Sequence, residues 1–273
     1  MKLGFVTCVQ LGFSCMEAIY KAGGKLQVAI TLIDEKAKNK SGRVYLDDFC
    51  QSNSIDLIKI DHINDDHVID VIKKYDLDWL FIIGWSQIAN KRLLDAPKSG
   101  VLGMHPTLLP KGRGRASIPW AIIKGLEETG VTLFKLDEGV DTGPILSQYK
   151  IPLSERTTST ELYDSVNDAH VNLMTSIIPK ILNEDVTLQE QNHADATEWQ
   201  GRTPKDGEID LSASVKTAER LVRATTRPYP GAFIMINDKK HIIWKAKLAN
   251  ETTKNLCIGF KDGFLECIEW EAE

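Results

Sequence analysis

Apolar residues in this chain alternate between two patterns: short uninterrupted runs, and longer stretches in which they recur every three or four positions. The runs at residues 3–9, 28–33, 79–84 and 100–104 carry few polar side chains, as expected of strands covered on both sides of a sheet. Between them, the stretch after Gly12 with Met16, Ile19 and Tyr20, the segment near 44–53 and the segment near 65–74 read as helices. An apolar pair, Leu57 and Ile58, separates the last two, and a polar, lysine-rich loop occupies residues 35–43. Apolar strands alternating with amphipathic helices predict an α/β protein with a parallel sheet between helical layers. Ligands of such sheets bind at the carboxyl ends of the strands, so the informative loops are 8–14, 84–90 and the one after Met104.

Farther along, Leu162, Val166, Ala169, Leu173, Ile177 and Ile181 keep helical period over 159–182, with Ser159 and Thr160 as cap candidates. Residues 183–204 are polar and read as a linker or a draped loop with little to bury. Beyond them, 205–224 reads as a turn plus a helix. Short β-rich runs follow at 233–236, 241–244, 257–260 and 264–268, separated by Asn-Asp and Asp-Gly turns. For a chain of 273 residues this predicts one main domain over 1–183, a linker over 184–204 and a small β-rich subdomain over 205–273.

Composition narrows the function classes. With 42% hydrophobic and 26% charged residues, 19 Gly and 10 Pro, the chain is neither disordered nor fibrous. A formal net charge of −5 disfavours nucleic acid as a partner. The five cysteines, Cys8, Cys15, Cys50, Cys257 and Cys267, are odd in number and lack zinc-site spacing, so reduced thiols and no metal are expected. The first apolar run is too brief for a secretory signal, and no segment approaches the ~18 apolar residues of a membrane span. A soluble, cytoplasmic protein is expected.

Two segments carry candidate chemistry. The first runs from His105 through Pro106, Thr107, Leu108, Leu109, Pro110, Lys111, Gly112, Arg113, Gly114 and Arg115 to Trp120, an irregular loop with three cations within five residues. It suits phosphate recognition, or else is a solvated basic turn. His105 ends an apolar strand and precedes a proline, which places it at the ligand edge of the sheet and makes it the best acid/base candidate of the six histidines. The second segment is Asp137-Glu138-Gly139-Val140-Asp141-Thr142-Gly143-Pro144, three carboxylates on a turn after the run 131–136. Either one of them orients His105, or the turn caps its own backbone. Phosphate-loop, GxGxxG and GxSxG signatures are absent.

These two segments, in this order and with a spacing of 36 positions from His105 to Asp141, resemble the folate-dependent formyltransferase family. So do 202–210 and the stretch Leu221 to Phe233 containing Arg223, Pro228, Tyr229, Pro230 and Gly231, which are similar to a C-terminal segment shared by methionyl-tRNA and sugar formyltransferases. The resemblance covers most of residues 1–250. It implies a Rossmann-like formyltransferase core with a mostly parallel sheet, plus a small C-terminal β-rich, OB-like subdomain. It also implies transfer of the formyl group of N10-formyltetrahydrofolate to a primary amine. By position, His105 would take the amine proton and Asp141 would orient and stabilise the imidazolium. The family has an Asn two positions before the His that helps hold the oxyanion, whereas this chain has Gly103. Carried over by position, the folate pocket comprises Gly84, Trp85, Ser86, Gln87 and Ile88 with Glu138, Gly139, Val140 and Asp141.

Two branches of the family differ in their acceptor. Residues 205–273 hold eleven Lys and Arg against eleven Asp and Glu, no excess of cations for a tRNA acceptor stem, so a small-molecule acceptor is favoured over methionyl-tRNA. The wording of the His105 segment is most like bacterial nucleotide-sugar N-formyltransferases of cell-surface polysaccharide pathways, including those that formylate a UDP-linked 4-amino-4,6-dideoxy sugar in the pseudaminic acid branch. On that reading Lys111, Arg113 and Arg115 would meet the pyrophosphate. Gln10, Gly12, Phe13, Thr107 and Trp120 would shape the sugar pocket. Gly103 keeps a noncatalytic folate or nucleotide-sugar binder open as an alternative. A homodimer through the apolar C-terminal strands with Trp244 and Trp270 is also expected, against a monomer that buries them in its own core.

Overall fold

The computed structural model of the protein describes residues 1–38 and 42–273. Residues 39–41 of the expected polar loop lie outside the described residues. The chain begins with β1 (Leu3–Val6), α1 (Gln10–Lys21), β2 (Leu26–Leu32), the short α2 (Asp34–Ala37), α3 (Asp47–Ser52) and β3 (Asp56–Ile60). It continues through α4 (Asp66–Tyr75), β4 (Trp79–Ile82), α5 (Lys91–Leu94), β5 (Gly100–His105), the two-residue β6 (Arg113–Gly114) and α6 (Ser117–Ile123). Then come β7 (Glu128–Lys135), β8 (Ile145–Pro152), α7 (Ser159–Leu182), the two-residue β9 (Glu198–Trp199) and α8 (Val215–Thr225). Four strands close the chain: β10 (Ala232–Ile236), β11 (Lys239–Ala249), β12 (Cys257–Phe260) and β13 (Gly263–Ala272).

Two compact units result, one of residues 1–113, 130–150 and 167–197, the other of 114–129, 151–166 and 198–273. Each draws on separated stretches, whereas the sequence reading divided the chain into the contiguous pieces 1–183, 184–204 and 205–273. The reason is packing: in the second unit α6 lies against α8, and the Ser159 hydroxyl at the start of α7 donates to the Thr226 carbonyl at 2.9 Å. Neither contact leaves a local signal in the sequence.

In the first unit the sheet has the order β3-β2-β1-β4-β5-β7-β8. Its first five strands run parallel, and β7 is antiparallel to β5 with His105 opposite Thr132. β1 and β4 are four residues long and wholly buried, which explains their unbroken apolar runs. Val6, Ile30, Ile60, Leu80, Ile82 and Val101 pack with Val68 and Ile72 from the inner face of α4 in one core cluster. Each such side chain contributes about 1.5–3 kcal/mol on burial. The chain moves outward from β1 to β2 and β3, then returns to β4 on the other side, so the strand order reverses between β1 and β4. In open α/β sheets that reversal opens a crevice at the carboxyl ends, the place where loops 7–14, 83–90 and 105–112 emerge. β8 has no counterpart in the sequence reading, because as an edge strand it exposes Gln148, Tyr149 and Lys150 and shows no apolar run.

The second unit is built on the antiparallel sheet β10-β11-β13-β12, in agreement with the predicted β-rich end of the chain. α8 presents Val215, Ala218 and Val222 at helical spacing, and these pack with Ile209, Ile234, Ile243, Ile258 and Leu265. Ser214 caps its first turn, accepting from the Thr217 amide at 3.1 Å. Among the described residues no helix is long and apolar enough to cross a membrane. All five cysteines are free thiols.

Candidate active site

β5 delivers His105 to its carboxyl end, where the ring is buried and its Nε2 lies 2.8 Å from the Gly112 carbonyl oxygen. A carbonyl only accepts, so that contact assigns the hydrogen to Nε2 and leaves Nδ1 as the basic nitrogen of the neutral ring. Nδ1 faces Asp141, whose Oδ2 is 3.5 Å away. The two catalytic candidates, far apart in sequence, are thus brought together with side chains only 10% and 18% exposed. A charge formed on the ring there is met by a carboxylate from which most water is excluded.

The carboxylate segment does both things that its composition allows. Asp137 caps its own turn, its Oδ1 accepting from the Gly139 amide at 3.1 Å and the Thr142 hydroxyl at 2.7 Å. Asp141 is instead held in the left-handed region at φ 55° and turned toward His105. The loop closes so tightly at Gly143 that a Cβ there would lie 1.9 Å from the Lys135 carbonyl oxygen. Glu138, Gly139 and Val140 form its exposed tip.

The loop after β5 is fixed from β7 and β8. Thr132 Oγ1 donates to the Thr107 carbonyl at 2.7 Å and accepts from the Leu109 amide at 3.1 Å, while Gln148 Nε2 reaches the Leu109 carbonyl at 2.8 Å. Thr107 is itself buried, and its hydroxyl has no partner among the described residues. Of the loop's cations, Lys111 is exposed, but Arg113 is only 5% exposed and does not present its charge to solvent. Its guanidinium lies against Gln191 Oε1, with Nη2 at 2.6 Å, and against His193 Nδ1 at 3.1 Å. Arg113 therefore differs from the expected phosphate contact: it is built into the site's frame.

Gly103 is two residues before His105 on β5. A Cβ at this position would meet Leu136 Cδ2 at 2.6 Å and Cγ at 3.2 Å, so Leu136 fills the space that an asparagine side chain would enter. At the crevice, Gly84 (φ 67°) and Gly12 let backbones approach closely; a Cβ on Gly12 would lie 2.0 Å from Thr7 Oγ1. Gln10 reaches Ser14 at 3.3 Å, and Phe13 packs edge-on against Phe49. Trp85 is partly buried against the core and its indole N–H has no partner among the described residues, while Gln87 is tied to the Ile63 amide and the Asp61 carbonyl. Ser86 is exposed, and Ile88 projects to 76% exposure, so core packing accounts for Trp85 but not for Ile88.

Arg115 and Trp120 belong to the second unit. There Arg115 is exposed, and Trp120 donates its indole N–H to the Gln200 carbonyl at 2.8 Å beneath the Arg202 guanidinium.

Sequence reasoning missed Gln191, which comes from the polar stretch expected to bury little. It is 5% exposed and donates to the carbonyls of Asp141 and Gly143. Its only signal was a glutamine in a run of polar residues, which is no signal at all. Leu136 was legible only as the end of the run 131–136, and nothing in the sequence placed it beside Gly103.

Comparison with known proteins gives the family and the fold. Residues 18–178 match the formyl transferase family and 202–265 match the formyl transferase C-terminal domain. The chain belongs to the formyltransferase family. It is 34% identical, over 245 residues and 90% of its length, to the bifunctional polymyxin resistance protein ArnA of Wigglesworthia glossinidia brevipalpis, of which it spans 38%. Among solved structures it superimposes on the N-formyltransferase from Helicobacter canadensis in complex with folinic acid and dTDP-3-aminofucose, with a TM-score of 0.69, 22% identity and 97% of each chain covered. It also superimposes on methionyl-tRNA formyltransferase from Clostridium thermocellum, with a TM-score of 0.63, 19% identity, and 100% and 98% covered. The fold is thus shared by an N-formyltransferase bound to dTDP-3-aminofucose and by a methionyl-tRNA formyltransferase.

Proposed function

We propose that this protein transfers the formyl group of N10-formyltetrahydrofolate to the primary amine of a nucleotide-linked amino sugar. The observation that carries the reaction is the facing pair His105 Nδ1 and Asp141 Oδ2 at the carboxyl edge of a formyltransferase sheet. The folate supplies the formyl carbon and a leaving nitrogen. His105 Nδ1 takes the proton lost by the attacking amine, Asp141 balances the imidazolium, and the same nitrogen returns the proton to the departing N10. One C–N bond forms, one breaks, and no net proton is consumed. Since Gly103 offers no side-chain donor, the oxyanion would be met by backbone N–H groups, a water or protonated His105.

Ile88 and Val140, 76% and 63% exposed, are large apolar side chains left open on the two loops assigned to the folate. Covering them with an aromatic ring system is favourable. For the acceptor, the balanced charge of residues 205–273 argues against a tRNA. Within the sugar reading the finer assignment is a UDP-linked 4-amino-4,6-dideoxy sugar, with the exposed Lys111 as a candidate diphosphate contact. A noncatalytic binder is disfavoured because both His105 and Asp141 are present and aligned.

Turnover of the purified protein with N10-formyltetrahydrofolate against UDP-, dTDP- and GDP-linked amino sugars, with methionyl-tRNA as comparator, tests the proposal. Formylation of a sugar amine is expected. Formylation of the tRNA alone would overturn the acceptor, and folate binding without any product would leave the binder as the reading.

A further inference from the structure

The segment 189–197 runs across both catalytic loops of the first unit. At one end Gln189 exchanges two backbone hydrogen bonds with Ile145, at 2.7 and 2.8 Å, just after the Asp141 loop. At the other end Thr197 takes hold of the His105 loop: its hydroxyl accepts from the Gly112 amide at 2.9 Å and its carbonyl from the Arg113 amide at 2.9 Å. Gly112 is the residue whose carbonyl fixes His105. Midway sits Gln191, whose Nε2 donates to the Asp141 carbonyl at 2.9 Å and the Gly143 carbonyl at 2.7 Å. Its Oε1 accepts from Arg113 Nη2 at 2.6 Å and Nε at 3.3 Å. The amide can be oriented only one way, since two carbonyls demand a donor and a guanidinium demands an acceptor.

We propose that Gln191, backed by Arg113, is a positioning residue that sets the reach of Asp141 to His105. This rests on the functional reading above and deepens it. Asp141 occupies the left-handed region, which aspartate visits more readily than most residues, so the conformation is accessible but needs a tie to keep its direction. Gln191 supplies that tie by gripping the carbonyls of residue 141 and of residue 143 on either side of Thr142. Because Arg113 follows Gly112 directly, the same amide ties the Asp141 loop to the stretch that holds His105. All four hydrogen-bonding positions of the Gln191 amide are used, and the group is 5% exposed, so water does not replace a lost partner without rearrangement.

Two variants test it. Gln191→Met keeps the volume and removes the amide. Gln191→Glu keeps the acceptor for Arg113 but turns two donations into contacts between oxygens, and it remains informative should the first not fold. Either should lower kcat about 10- to 100-fold, the cost of misplacing a catalytic group by about 1 Å, with KM for folate and sugar within about threefold of wild type. In an Asp141→Asn background the same changes should cost less than about twofold, since the clamp acts through Asp141. Equal losses in both backgrounds would mean a merely structural role and overturn the proposal. A readout independent of turnover is backbone amide exchange, which should accelerate about tenfold or more at 137–143 while β1, β4 and β5 keep their protection. Unchanged exchange at 137–143 would overturn the clamp even in a protein that formylates no sugar. A missing activity in the wild-type protein would overturn the functional reading and leave the exchange result to decide the clamp.

Discussion

The loops that carry His105 and Asp141 and the loop after β4 all spring from one sheet, yet they are finished differently. Around the proposed catalytic pair, side chains fasten the backbone: Thr132, Gln148 and Thr197 hold the His105 loop and Gln191 the Asp141 loop, although the buried Thr107 hydroxyl has no partner among the described residues. The loop 84–88 is tied back by Gln87, to the Ile63 amide and the Asp61 carbonyl, and by Asn64, whose Nδ2 donates to the Ile88 carbonyl at 2.9 Å, yet it leaves the Ile88 side chain uncovered. Where a proton must move between fixed atoms, an error of an ångström is costly and the protein supplies a frame. Where a ligand's apolar surface is to be covered, an open side chain suffices.

That contrast can be broken at its strongest point first. His105→Ala and Asp141→Asn should each lower kcat about 10²- to 10⁴-fold with folding intact, measured by steady-state turnover beside circular dichroism. Near-normal rates in both would remove the pair from the mechanism. Next comes Gly103→Asn, which forces a side chain into the space of Leu136. Overpacking of this kind costs about 1–3 kcal/mol, so the melting temperature should fall and should recover in Gly103→Asn combined with Leu136→Ala. Should that double variant also gain turnover, the position would be one where a side-chain oxyanion donor has been given up for packing.

Smaller effects belong to the open side. Ile88→Ser with Val140→Ser should raise KM for the folate about five- to tenfold and leave kcat within about twofold, because these side chains offer surface and not geometry. An unchanged KM would place the folate elsewhere. The smallest effect concerns the second unit. Asp206 accepts from the Thr203 backbone and hydroxyl, and these bonds hold its carboxyl below the usual carboxylate value. A lowered value stabilises the fold above the ordinary carboxylate range and loses that contribution as pH falls through the folded value. Asp206→Ala should therefore melt earlier than wild type at pH 7, and the gap should close in acid; a gap independent of pH would assign the loss to packing alone.

Much of this protein was legible without coordinates. Unbroken apolar runs at 79–82 and 100–104 mark strands buried on both faces because no polar side chain can be accommodated there. A histidine after such a strand has nowhere to go but the ligand edge. The helix over Ser159–Leu182 is written in its own period. What the sequence left open was decided by contacts between distant segments. Asp137 and Asp141 are equivalent in composition, and only the closed turn around Asp137 sends Asp141 to His105. Arg113 and Arg115 stand two residues apart in one basic run, yet one is buried against Gln191 and the other is exposed. The role of Gln191 itself depends on carbonyls fifty residues away. Periodicity reports how a residue meets its neighbours along the chain, and it fixed the elements and the edge where the chemistry sits. Hydrogen bonds between loops depend on where the backbone finally passes, so which carboxylate, which arginine and which glutamine come together was decided only by the folded chain.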